Sequence, residues 1–188
     1  GFGTTMGDLD CDGDEDAVIT NGHVVYYPSI SELRQFPLLL KNSGDGKFTS
    51  TASTAGSYFT SPHLGRGLSI ADINSDGLLD IIAAHNNEPA AVLLNNTKTT
   101  CSWIRLQLVG TRSSRDAVGA RVVLHTSDGD QLRHITGGGS FQSQHDLTIH
   151  FGIKGRDELI SATVYWPSGL QQDVQNLRTR QTKVIIEK

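Results

Sequence analysis

The sequence predicts an all-β protein in two parts, and three observations predict it. Apolar residues at helical spacing are nearly absent from the whole chain. The apolar runs are short, alternate with polar residues and stop at Gly, Asn or Asp, as strands do. An acidic loop, Asp8-Leu9-Asp10-Cys11-Asp12-Gly13-Asp14-Glu15-Asp16, runs into the apolar tail Ala17-Val18-Ile19. It returns from position 72 as Asp72-Ile73-Asn74-Ser75-Asp76-Gly77-Leu78-Leu79-Asp80 before Ile81-Ile82-Ala83, and a matched loop with a matched tail marks a repeated structural unit.

In chain order, residues 16–20 and 24–27 read as strands joined at Asn21-Gly22, a strong hairpin signal. Residues 28–37 read as an irregular insertion, and residues 38–41 and Phe48 as two strands around a Gly-rich turn. A Ser- and Thr-rich stretch reaches Pro62. Residues 67–72, 80–84 and 90–94 then repeat the pattern of loop and strands. Polar residues 95–102 mark a boundary, giving domains 1–98 and 99–188. Beyond it, residues 103–109, 120–125, 131–136, 148–151, 162–166, 170–174 and 182–187 read as seven spaced strands, the texture of a β-sandwich or barrel.

Composition narrows the function classes. A chain of 188 residues, 37% hydrophobic and 19% charged, has the makeup of a soluble globular protein with ordinary cores. No apolar run approaches the ~20 residues that cross a bilayer, and the Gly1-Phe2-Gly3 start points to a mature piece or a cut fragment. The net charge of −4 is local: nine of the 20 acids sit in the two loops, leaving 11 against 16 Lys and Arg, or +5 elsewhere. Two divalent cations would neutralise the chain, and no basic stripe with interleaved aromatics offers a nucleic-acid surface.

Crowded carboxylates repel one another unless a cation neutralises them, so the loops read as calcium cages. Asp8, Asp10, Asp12 and Asp16 would supply side-chain oxygens and Asp14 its carbonyl; Asp72, Asn74, Asp76 and Asp80 would do so in the second loop, with the Leu78 carbonyl. An EF-hand would need Glu at position 12 and flanking helices, but that position is Ile19 or Ala83 inside apolar runs. Metal-free Asx turns are the plainer alternative, and Mg²⁺ suits such cages less because it keeps its waters.

Other groups carry less. Cys11 and Cys101 are expected as small buried thiols, with a bridge between them the alternative. The seven histidines are expected as surface or hydrogen-bonded residues, and Trp103 and Trp166 as core anchors. Gly137-Gly138-Gly139-Ser140 reads as a tight turn rather than a phosphate cradle. Ser168 has neither a nucleophile elbow nor a base partner visible in sequence, and Asn95-Asn96-Thr97 is a glycosylation sequon by pattern.

The two loops, the turn over residues 40–48 and Gly65-Arg66-Gly67 resemble the FG-GAP or VCBS repeat, the blade unit of calcium-binding β-propellers. Residues 118–122, 137–144, 150–152, 166–169 and 185–187 resemble the ASPIC/UnbV domain. The resemblance implies a partial propeller joined to a small β domain, in secreted or cell-surface proteins of adhesion or matrix type. The expectation is a non-enzymatic module holding two Ca²⁺ ions, with protein or glycan partners outside the cell and no membrane insertion. The competing expectation is a component of a bacterial biosynthetic or polysaccharide-processing enzyme, which would place convergent titratable groups around Arg121, Arg133, His134 or His150.

Overall fold

The computed structural model describes residues 1–25, 29–154 and 160–188. Among them there is no α-helix, and none long and apolar enough to cross a membrane. The strands in order are β1 (Thr4–Gly7), β2 (Asp16–Ile19), β3 (Leu38–Asn42), β4 (Phe48–Ser50), β5 (Gly65–Ala71), β6 (Asp80–His85), β7 (Ala91–Leu93) and β8 (Ser102–Val109). They continue as β9 (Arg121–Thr126), β10 (Gly129–His134), β11 (Gly139–Ser140), β12 (Ser143–Gln144), β13 (Ile149–Ile153), β14 (Ile160–Tyr165), β15 (Gln171–Leu177) and β16 (Gln181–Ile186). The all-β expectation holds.

Two compact units divide the chain. The first comprises Gly1–Leu9, Asp14–Asn96 and Gly138–His145; the second comprises Asp10–Gly13, Thr97–Gly137 and Asp146–Lys188.

In the first unit β1-β2-β3-β4 form one antiparallel meander and β5-β6-β7 another. Val18, Leu68, Ile81 and Ala83 from the strands, with Leu9, Leu79 and Phe59 from loops, make its core. Strand β2 alternates buried and half-buried residues because one face meets that core. The Asn21-Gly22 hairpin does not form. Gly22 bridges Arg34, Val24 and Val25 are exposed outside any strand, and β2 pairs with β3 beyond the insertion. Apolar residues 38–40 pair with β2 instead, and that tertiary pairing overrides the local turn signal. The rest of the expected 24–27 strand, at residues 26 and 27, lies outside the described residues.

The hairpin β11–β12 belongs to the first unit, with the Ser140 hydroxyl accepting the Thr4 N–H at 3.1 Å and Ser69 donating to the Gln144 carbonyl at 2.6 Å. The expected tight turn over 137–140 is corrected: Gly139 and Ser140 are strand β11, and the turn of the hairpin falls at residues 141–142. Gly139, at φ +146°, faces the His145 ring where a Cβ would fall. Gly139→Ala should therefore lower stability by about 2 kcal/mol through backbone strain and displacement of that ring; a melting curve unchanged from wild type would exclude this packing.

In the second unit two sheets, β10-β9-β14-β15 and β13-β8-β16, share one hydrophobic core. Strand β8 buries Ser102, Ile104, Leu106 and Leu108 in strict alternation, antiparallel to β13 and parallel to β16. Phe151 and Val164 fill the centre. Among the described residues no sheet closes into a barrel.

Candidate metal centre

Both acidic loops occupy the same place in their sheets, between the first and second strands. Residues 8–15 join β1 to β2 with Gly7 opposite Asp16, and residues 72–79 join β5 to β6 with Ala71 opposite Asp80. Strands, not helices, flank each loop, so the EF-hand is excluded by structure as well as by sequence.

Their backbones match. The fourth position is left-handed at φ +63° in Cys11 and +62° in Ser75, and the sixth at +92° in Gly13 and +91° in Gly77. A left-handed non-glycine residue is uncommon because its Cβ crowds the backbone. It recurs at one position of both loops although only Cys11 carries a cross-link, so the bend does not depend on the disulfide.

Asp8, Asp10 and Asp12 bring one carboxylate oxygen each within 4.8 Å of one another, with Asp8 fully buried and the other two half-buried. Oxygens ligating one Ca²⁺ at 2.3–2.6 Å lie at most about 5 Å apart. The triad therefore fits that ion in both donor type and spacing. Without a counter-ion, carboxylates this close repel by on the order of 1–3 kcal/mol per pair, depending on water access. The side chain of Asp14 lies against Gly44, where a Cβ would stand 2.7 Å from its Oδ2.

The ninth-position aspartates are hubs. Asp16 is 3% exposed and accepts the Leu9 N–H on Oδ2 at 3.2 Å and the Asn42 N–H on Oδ1 at 2.9 Å. Asp80, fully buried, accepts the Ile73 N–H at 2.8 Å and the Asn95 N–H at 2.8 Å in the same way. Each of these carboxylates thus ties its own loop, through Leu9 or Ile73, to an asparagine later in the chain, Asn42 or Asn95. The asparagine side chains complete the clamp, Asn42 Nδ2 donating to the Glu15 carbonyl at 3.1 Å and Asn95 Nδ2 to the Leu79 carbonyl at 3.1 Å. Neither asparagine is visible as a site residue in sequence, since each lies far down the chain from its loop.

In the second loop the polar side chains meet through Asx turns. Asp72 accepts the Asp76 and Gly77 N–H groups at 3.1 and 3.0 Å, Asn74 accepts the Asp76 N–H at 3.0 Å, and Asp76 accepts the Leu78 N–H at 2.8 Å. Asn74 Nδ2 also donates to Asp76 Oδ2 at 2.9 Å. Among the described residues, the first loop's triad alone gathers three acidic, His or Cys ligands at metal-binding spacing.

The expectation of two free thiols is corrected: Cys11 and Cys101 form a disulfide with Cα atoms 6.1 Å apart. A sequence separation of 90 hides the pairing, because only the fold brings such distant residues together. Within the same unit Arg133 donates to the Gly13 carbonyl at 3.0 Å and lies over the Phe151 ring.

Ser168 does have a carboxylate partner, Glu187, to which its hydroxyl donates. Burial would raise the Glu187 pKa, but the N–H groups of Ser113, Arg112 and Thr111 and the Ser168 hydroxyl pull it down to about 2. So acidic a group is a poor general base, and its oxygens are taken up by the 111–113 backbone N–H groups and two Ser hydroxyls. Trp166 is buried, donating from Nε1 to Gln172 at 3.2 Å, whereas Trp103 is only half-buried on the other face of β8. Of the histidines, His145 Nε2 lies 3.0 Å from Thr5 Oγ1, and His150 is buried in β13. Arg121 stacks on Tyr165.

Residues 110–188 match the family described as ASPIC and UnbV. The chain is similar to cartilage acidic protein 1 of Mus musculus, 32% identical over 164 residues that make up 85% of this chain and 25% of the relative. The Homo sapiens protein of the same name is 32% identical over 164 residues, covering 85% of this chain and 24% of the relative. That of Xenopus tropicalis is 35% identical over 109 residues, or 56% of this chain and 16% of the relative. The chain thus spans about a quarter of the length of the mouse and human relatives.

Proposed function

With an ASPIC/UnbV region over residues 110–188 as the premise, we propose that the chain is a non-enzymatic, calcium-stabilised β module of an extracellular adhesion or matrix-type protein. The observation that carries this reading is the oxygen triad of Asp8, Asp10 and Asp12 on a loop whose backbone the second loop reproduces. Calcium sits in both loops, held in the first by Asp8, Asp10, Asp12 and Asp16 with the Asp14 carbonyl. In the second it is held by Asp72, Asn74, Asp76 and Asp80 with the Leu78 carbonyl.

Propeller blades are built as four-stranded sheets, and the antiparallel meander β1-β2-β3-β4 supports a blade of FG-GAP or VCBS type. The Cys11–Cys101 bond supports an oxidising compartment, where disulfides persist. In the second unit Arg133, Glu187 and Ser168 are engaged with the protein's own backbone and side chains, which supports binding over catalysis. The partners are protein or glycan at a cell surface or matrix.

Extracellular modules bind calcium at ~10⁻⁴–10⁻³ M, and each loop filled at ten times its Kd adds about 1.4 kcal/mol. Calorimetric titration should show two ions per chain, with Asp12→Ala removing one and Asp76→Ala the other. Chelation should lower the Tm and excess calcium restore it. No heat of binding and an unchanged melt would overturn the reading.

A further inference from the structure

The two loops are joined by one side chain. Asn95, two residues beyond β7, gives its backbone N–H to Asp80 Oδ1 at 2.8 Å. Its Nδ2 donates to two carbonyls, Leu79 in the second loop at 3.1 Å and Leu9 in the first at 2.6 Å. Leu9 in turn gives its N–H to Asp16 Oδ2 at 3.2 Å. A continuous hydrogen-bonded path therefore runs from the ninth aspartate of one loop to that of the other, all within the first unit. Asn42, the counterpart residue in the first repeat, reaches from its side chain to the Glu15 carbonyl of its own loop.

We propose that Asn95 couples the two loops, so that filling one tightens the other. This rests on the calcium reading above. The physical basis is shared ordering: a cation that fixes one loop fixes Leu9 or Asp80, and with it the Asn95 amide that the other loop also needs. The second ion then meets a partly ordered site and loses less conformational entropy on binding. Asn95 is a positioning residue, since its amide acts through Leu9, Leu79 and Asp80. The same bonds occupy the nitrogen that a glycan would modify, so the sequon is spent on the fold.

The test is a calcium titration with each loop's Kd measured when the other is intact and when it is disabled by Asp12→Ala or Asp76→Ala. Coupling of this kind should make the intact pair tighter by about five-fold or more, and Asn95→Ala should bring the ratio to about one while Asn42→Ala keeps it. Should Asn95→Ala fail to fold, Asn95→Ser, with its short hydroxyl, serves in its place. Equal Kd values in the wild-type background sink the coupling and leave the calcium reading standing. So does a ratio that survives at position 95, or loss of the second loop's ion with no change at the first. No calcium binding by the wild-type chain sinks both.

Discussion

Replacing Cys11 and Cys101 together by alanine should lower the Tm by roughly 10–15 °C. The bond closes a loop with a sequence separation of 90, and a cross-link of that span removes enough freedom from the unfolded chain to be worth about 4–5 kcal/mol in the entropic account. Cys11 is also fully buried in the middle of the first acidic loop, so the pair anchors Asp10–Gly13 within the second unit. That exceeds the contribution of either cation near its working concentration, which makes the disulfide the stronger support. Differential scanning calorimetry checks it, and a reductant added to the wild-type chain should reproduce the loss. A wild-type melt indifferent to reductant would show that the bond constrains nothing.

Glu187→Gln should lower the Tm by roughly 5–10 °C and flatten the acid limb of the stability profile. Its Oε2 accepts the N–H groups of Thr111, Arg112 and Ser113, each at 2.8 Å, and its Oε1 accepts the hydroxyls of Ser113 at 2.9 Å and of Ser168. An amide in that position keeps one oxygen acceptor for the backbone N–H groups, but it sets an NH₂ group against the two hydroxyls and removes the negative charge on which five donors converge. The carboxylate's folded pKa of about 2 lies below its ordinary 4.5. The stability it contributes is therefore complete above pH 4.5 and is lost as pH falls toward 2. Melting curves from pH 7 to 2 should show the wild-type chain losing stability through that window faster than the variant. Parallel curves would mean that the clasp does not depend on charge.

Much of the fold was legible because strands record themselves locally. Alternation in β8, the apolar runs of β6 and β14, and the glycine at the sixth place of each loop are readable without knowing what packs against them. The short strands β1, β11 and β12 were not, because two to four residues carry too little pattern to separate a strand from a turn. Residues 24 and 25 of the expected 24–27 strand lie outside any strand for the opposite reason: an Asn-Gly signal and an apolar run were present, but β2 pairs with residues 38–40.

The sequence by itself determined the all-β class, the repeated acidic loop and the oxygen-rich character of the candidate site, since each follows from residue type and spacing over a dozen positions. Only the tertiary structure decided that Cys11 meets Cys101, that Asn42 and Asn95 clamp the ninth aspartates, and that Glu187 is held by the 111–113 amides. These partners lie 15 to 90 residues apart in the chain. Contacts across such distances depend on how sheets stack and turns close, which local patterning does not encode.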